Sequence, residues 1–401
     1  MSISLRSFIA SDGERFSQLY NSHAGGFPLF YPTAYVAHTL RTDHAHETQK
    51  VYLEAIKRVC EWEYNNKLEL DIRFQKQEFL KPMEIASLVK HLAKKRNGVT
   101  GETIGSSKRN TYIAYAANYL LWLAEHVITD PTSHNIRSKI DKQHADILKK
   151  IERKTGSKSA KRQRILASKL PQHTSDQLES LFNDPFVDLQ READKASRLR
   201  NIVMMRILYE TGMRRGELLS LKLKNIQESI DKENGTLTIE RNHHDEFDNR
   251  IRQPVAKTLG RVVPISLELE TQLLQYIQEH RAQVPGVDFS AESFIFVNHR
   301  AVRSQGRPIK DTAFHSSLKH LKSIFPALNS LHPHLLRHDW NYRFSVEADK
   351  DGLKPVEERE LREYLMGWAP ESSMSLIYNQ RHIQSKANEF GLKIAHGTIK
   401  K

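Results

Sequence analysis

Four side chains in the second half of the chain have the types and the order to do chemistry on a phosphodiester. They are Arg214 in TGMRRGELL (211–219), His334 and Arg337 in HPHLLRH (332–338), and Tyr378. Attack on such a bond builds negative charge on the nonbridging oxygens, and a site without a metal must meet that charge with fixed cations and donors. Arginine suits this because its planar fork stays charged and binds two phosphate oxygens at once. Arg214 and Arg337 are the candidate clamps, with Arg215 an open competitor to Arg214. An imidazole at His334 can bond the phosphate or manage a proton near neutrality. A phenol titrates at about 10, so Tyr378 becomes a nucleophile only where neighbouring cations favour its phenolate. Tyr342 and Tyr364 are the alternative phenols, Tyr342 standing only one helical turn beyond Arg337.

These residues need rigid supports, and the pattern supplies mostly helices. After residues 1–45, an arm with no steady period and PLFYPTAY within it, helical spacing starts at Thr48 with Tyr52, Ala55, Ile56, Val59 and Cys60. A second helix should follow Pro82 through Met83, Ala86, Val89, Leu92 and Ala93. A third runs from about Lys108 to His126, its tyrosines serving core and rim, and a fourth from Ser133 to Glu152. Residues 156–171 read as a basic linker closed by Pro171.

Ser175 with Glu179 hints at the next helix start, and Ala196–Thr211 forms a strongly apolar helix with its methionines as core filler. Alternation then points to strands at 236–241, about 252–256 and 261–265. Helices return at about 267–281, 310–325, 335–348, 357–366 and near Tyr378. The fold class is mainly α with a small antiparallel β-sheet (α+β). The domains are a helical one over 46–155 and a second over 172–401 that holds all four reactive residues.

Composition narrows the partners. With 61 Lys and Arg against 48 Asp and Glu, the net charge of +13 attracts polyanions, nucleic acid first and an anionic membrane surface second. The basic residues come in blocks, as a phosphate-tracking surface requires: Lys94, Lys95, Arg96; Lys108, Arg109; and Lys161, Arg162, Arg164. The single cysteine, Cys60, excludes an intramolecular disulfide framework and a multi-cysteine zinc site, and reads as a small core residue. His243, His244, Asp245 and Glu246 imitate a metal cluster, but adjacent residues converge poorly on one ion, so a solvated loop is the reading. No apolar run reaches the roughly 18 to 20 residues of a membrane span, and a reducing bacterial cytoplasm is expected.

Taken together, TGMRRGELL, HPHLLRH, Gly367–Trp368 and Tyr378 resemble the catalytic boxes of the tyrosine recombinases, the phage integrase family. The resemblance covers about Gln172–Gln384, and less specifically Thr48 to about Lys154, which resembles the family's core-binding domain. It implies that 172–401 is the catalytic domain and favours Arg214 over Arg215 as the arginine of the TG[LM]R pattern. Arg337 matches the last residue of His-x-x-Arg. Glu217 would orient the site by hydrogen bonding, its alternative being an exposed helix-start carboxylate, and His338 would support it.

By the same resemblance Lys257, on a hairpin turn in AKTLGRVVPI, would protonate the departing 5′ oxygen, with Arg252 and Arg261 as contenders for phosphate contacts. Trp368 occupies a slot that is histidine in most relatives, where an indole can donate one hydrogen bond but cannot shuttle a proton. Tyr378 would form a 3′-phosphotyrosyl bond, with no ATP, cofactor or metal required. Two features depart from the pattern: the spacing from Trp368 to Tyr378 is one residue longer than usual, and VEADKDGLKPVEER lengthens the segment before Trp368.

The implied function is a site-specific integrase of a mobile element, integrating or excising DNA in the nucleoid. Its partners would be double-stranded recombination sites, three further copies in a tetramer that exchanges C-terminal tails, and an accessory bending or directionality factor. A type IB-like topoisomerase and a catalytically silent DNA-binding regulator on the same fold are the alternatives.

Overall fold

The computed structural model describes residues 3–21, 26–96, 101–152, 169–230 and 234–399, except the side chains of Leu376–Tyr378, Gln380, Arg381 and 397–399. The chain divides into two compact units, Met1–Thr155 and Gly156–Lys401.

The first unit opens on a feature the sequence reading did not expect. In place of an irregular arm, β1 (Ile3–Ile9) and β2 (Arg15–Asn21) form an antiparallel hairpin that pairs Ile3 with Asn21 and Ile9 with Arg15. The turn between them carries Gly13 at φ 81, which glycine adopts without strain. Buried Ile3 and Leu19 enter the same apolar cluster as the helices.

The helices follow as α1 (Phe30–Tyr35), α2 (His46–Asn65), α3 (Leu70–Gln75), α4 (Pro82–Leu92), α5 (Ser106–Val127) and α6 (His134–Leu148). On α2 the buried stripe is Tyr52, Leu53, Ala55, Ile56, Val59 and Trp62, whose indole donates to Ser87 Oγ at 3.0 Å. The α4 face is rotated from expectation. Ile85, Leu88, Val89 and Leu92 are buried, while Met83 is 82% exposed and Ala86 lies on the solvent side. Tyr112 and Tyr119 of α5 are buried, and Tyr115 stacks on Tyr52. The linker readings at Lys161, Arg162 and Arg164 lie outside the described residues.

In the second unit, α7 (Gln172–Asn183) begins just after Pro171, slightly ahead of the Ser175 signal. The helix α8 (Lys195–Thr211) runs through the core with Ile202, Val203, Met204, Met205, Ile207 and Leu208 buried. A short α9 (Arg215–Ser220) follows one turn later. The sheet has the order β3 (Ile226–Gln227), β4 (Thr236–Ile239), β5 (Arg261–Pro264), all antiparallel, with Leu237 opposite Val263. Residues 252–256 are not one of its strands. That segment runs past α9 instead, where the Val255 carbonyl lies 2.9 Å from where a Cβ on Gly216 would stand, and β3 takes the third place.

The remaining helices are α10 (Leu267–Gln275), prolonged by a π-helical turn at Tyr276–Arg281, then α11 (Asp311–Ile324), α12 (Pro333–Lys350), α13 (Pro355–Met366) and α14 (Ser373–Ile399). The lengthened stretch VEADKDGLKPVEER is the end of α12, a turn at Gly352 with φ 66, and the start of α13, where Pro355 fits the first helical position. This is the mainly helical α+β architecture that the pattern implies.

Candidate active site

The first box is a helix stop followed by a helix start. α8 ends at Gly212, whose φ of 61 is the left-handed conformation that closes helices and favours glycine. A Cβ there would also stand 2.8 Å from Trp340 Cγ, so a side chain would force the indole to shift. Trp340 Nε1 donates to the Glu210 carbonyl at 2.8 Å, and Arg337 Nη1 donates to the Gly212 carbonyl at 2.7 Å. Two residues of α12 thus hold the turn that delivers Arg214.

Arg214 caps α9, and its amide donates to Glu217 Oε2 at 2.9 Å. Glu217 is fully buried, which counts against the alternative of an exposed helix-start carboxylate. It accepts from Thr258 Oγ1 at 2.7 Å and Arg261 Nη2 at 2.8 Å, and lies 3.4 Å from Arg214 Nη1. Burial pushes its carboxyl pKa up, but the charge and hydrogen bond of Arg261, the Arg214 amide and the charge of Arg337 outweigh it and leave the pKa below its ordinary value. The group is therefore an anion in the interior.

Arg261 is the partner that keeps it so. Its Nε donates to the Leu365 carbonyl at 2.6 Å and its Nη1 to Thr258 Oγ1 at 3.3 Å, and the side chain is buried. Arg261 is therefore an internal strut rather than the phosphate contact expected as one option. At the third box, Gly367 has φ 66, and a Cβ there would stand 2.7 Å from Arg261 Nη1 and 2.8 Å from the Leu259 carbonyl. The Leu259 amide donates to the Gly367 carbonyl at 2.9 Å. The loop 257–260 is in this way fastened at Thr258 to the first box and at Leu259 to the third, leaving Lys257 exposed between Ala256 and Thr258.

The second box starts α12. His332 caps it, with Nδ1 accepting from the Leu335 amide at 3.0 Å, and Pro333 follows at the first helical position. The His334 and His338 rings meet edge to face at 4.5 Å, one turn apart. The His334 imidazole is held below its ordinary pKa, first by desolvation and then by the charges of Arg337 and Arg214, so it is neutral at physiological pH although the residue is solvent-exposed.

Arg337 is 1% exposed. Besides Gly212 it donates to the Met366 carbonyl at 3.3 Å, and its guanidinium carbon lies 5.6 Å from the Trp368 ring centre. Trp368 is buried with Met366 against Trp340 and Met374.

Arg215 points elsewhere. It pairs with Asp311 on α11 at 2.5 Å and donates to His315 Nε2 at 2.7 Å, while exposed Arg252 reaches Asp311 at 3.5 Å. Tyr378 lies in α14, and its side chain is outside the described residues. α14 docks on α12 through Asn379 to Ser345 at 3.1 Å and His382 to Asp349 at 2.8 Å, and Lys386 reaches the same carboxylate at 2.8 Å. Tyr342 faces His382 across 6.1 Å, and Tyr364 is 58% exposed on α13.

The structure therefore brings Arg214, Glu217, Arg337, His334 and Trp368 together and ties the Lys257 loop to them. Thr258 and Arg261 complete the network. Nothing in the local sequence marks Thr258, whereas Arg261 stands out as a basic residue at a strand start.

Of the five basic residues expected to contact DNA in the first unit, three pair with carboxylates. Lys95 pairs with Glu102 at 2.8 Å, Arg96 with Glu54 at 3.0 Å and Glu61 at 3.1 Å, and Arg109 with Glu152. Lys94 is exposed, and Lys108 lies over the Tyr112 ring at 5.5 Å.

Residues 173–349 match the phage integrase family. Over 180 residues the chain is 29% identical to tyrosine recombinase XerD of Pasteurella multocida (strain Pm70), covering 43% of this chain and 48% of that protein. It is 25% identical over 202 residues to tyrosine recombinase XerC of Roseiflexus sp. (strain RS-1), covering 50% and 54%. The chain thus spans about half the length of the curated relatives it matches. A solved structure of the XerH site-specific recombinase bound to palindromic difH substrate, a post-cleavage complex, aligns at 18% identity with a TM-score of 0.45, over 78% of this chain and 70% of that one. Residues 173–349 thus carry a phage integrase family domain, and the relatives matched are tyrosine recombinases. No helix among the described residues is long and apolar enough to cross a membrane.

Proposed function

We propose that this protein is a site-specific DNA recombinase that cuts and rejoins strands through a 3′-phosphotyrosyl intermediate on Tyr378. The observation that carries the reading is the buried Glu217 network, which joins the first box, the Lys257 loop and Arg261 in one rigid assembly. In this scheme the Tyr378 phenolic oxygen bonds to phosphorus while the bond to the 5′ oxygen breaks. His334, neutral at physiological pH, accepts the phenolic proton. The Lys257 ammonium gives a proton to the departing 5′ oxygen, and a 5′ hydroxyl of the exchanged strand later reverses both transfers.

Arg214, partly exposed at its helix start, supplies the guanidinium that meets the nonbridging oxygens. Arg337, held to two carbonyls beneath it, contributes its charge from below and fixes the turn. Trp368 walls the floor against water. The wider assignment rests on the family resemblance: integration or excision of a mobile element in a bacterial cytoplasm, on duplex sites gripped by the helical unit and this domain. A tetramer that exchanges its C-terminal tails, with an accessory bending or directionality factor, completes it.

Nicked suicide duplexes spanning mapped cleavage positions test the reading. Covalent protein–DNA adducts should form undiminished in EDTA, and adducts that require magnesium would refute the scheme. Binding should weaken steeply with salt, since neutralising about six to ten phosphates makes log affinity fall strongly with log salt; a flat response contradicts the duplex grip.

A further inference from the structure

The excursion 242–250, NHHDEFDNR, plays no part in the chemistry above, yet it is not a solvated loop throughout. Asp245, Asp248 and Arg250 are buried, while His244, Glu246, Phe247 and Asn249 between them face out. Asp245 holds the ammonium of Lys222 at 2.8 Å, and that buried lysine stands over the rings of Phe247 at 5.0 Å and Phe294 at 5.3 Å. Arg250 is the better-placed residue. Its Nε and Nη2 donate to the Asp248 carboxylate at 2.9 and 2.8 Å, and its guanidinium carbon lies 4.5 Å over Phe294.

The remaining donors of Arg250 leave the excursion. Nη1 donates to the Ile309 carbonyl at 2.8 Å and Nη2 to the Leu219 carbonyl at 3.0 Å. Leu219 belongs to the last turn of α9, the six-residue helix whose cap is Arg214. Such a helix is only about 9 Å long and moves as one piece, so its far end sets where the cap stands. Beyond the excursion the chain touches α9 again at Gly216, through Val255, and at Glu217, through Thr258. An apolar patch could bury this helix as well, but only directed donors fix the heading of a carbonyl.

We propose that the buried Asp248–Arg250 pair is a rivet that sets the position of α9 and, through it, of Arg214; as a statement about catalysis this rests on the recombinase reading. Arg250 is a positioning residue.

Amide hydrogen exchange on the full chain tests it. Arg250→Met should speed exchange in α9 by about tenfold, the size expected for losing charge-assisted hydrogen bonds, with the α12 amides unchanged. Arg250→Lys, which can reach one carbonyl, should restore part of the protection and stands in if the methionine variant does not fold. In adduct formation on a nicked duplex built at a cleavage position mapped with the wild-type protein, Arg250→Met should slow the step with DNA affinity held. Added to Arg214→Ala it should cause no further loss, because both act on one group.

Unchanged exchange in α9, exchange raised equally in α9 and α12, or losses that add to those of Arg214→Ala would each overturn the rivet. Selective exchange in a wild-type background that forms no adduct would support the rivet and refute the recombinase reading.

Discussion

The floor of the site and its rim are built on opposite plans. Glu217, Arg261 and Arg337 in the floor are buried, and each is held by hydrogen bonds that cross from one box to another. Lys257 and His334 on the rim are exposed, and Arg214 is half covered. Charges of the floor type hold geometry, because an ion in the interior persists only while its partners stay in place. Rim groups stand where something that arrives from outside can reach them. The comparison teaches that the two arginines, similar in sequence, have separate duties: Arg337 joins the boxes, and Arg214 faces outward.

Damage to the floor should appear as lost stability, and damage to the rim as lost chemistry. The largest stability effect is expected for Arg261→Met, which leaves the Glu217 carboxylate buried without its strongest partner and should cost about 3–5 kcal/mol in denaturant unfolding. Gly212→Ala comes next, since left-handed backbone strain and the encounter with Trp340 together should cost about 1–3 kcal/mol. Lys257→Met on the rim should change stability by only about 0.5 kcal/mol, yet slow strand cleavage by about 10²- to 10⁴-fold if it is the general acid. Full cleavage by that variant, or a large stability loss from it, would erase the distinction.

The smallest effect concerns pH. His332 accepts the Leu335 amide through Nδ1, and desolvation lowers its folded-state pKa. The unfolded chain therefore binds the proton more readily, so the cap's contribution is complete above the ordinary histidine pKa of about 6.5 and fades as pH falls through it toward the lower folded value. His332→Asp should remove this step at mildly acid pH while keeping the cap, and His332→Ala should cost about 1 kcal/mol at neutral pH. Unfolding curves at two pH values decide both.

Much of the helical framework was legible: α2, α5, α8 and α12 fall within a few residues of expectation. The N-terminal hairpin was missed although Asp12–Gly13 between alternating segments is a known turn signal, because aromatics and prolines after it drew the reading toward an irregular arm. The strand expected at 252–256 is absent because that segment runs past α9 at Gly216 rather than pairing with β5. In the site, the residue types were visible, but burial was not. No window of sequence reveals that Glu217 lies under Arg261, 44 positions away, or that Gly212 must clear Trp340.

The central claim is that the phenol of Tyr378 becomes covalently joined to DNA. Digesting the adduct formed on a nicked duplex in EDTA and sequencing the DNA-linked peptide tests it most directly, with Tyr378→Phe as the paired control. The account expects the link on Tyr378 and no adduct from the variant, with duplex binding retained. A link on Tyr342 or Tyr364, or adducts that survive in Tyr378→Phe, would contradict it.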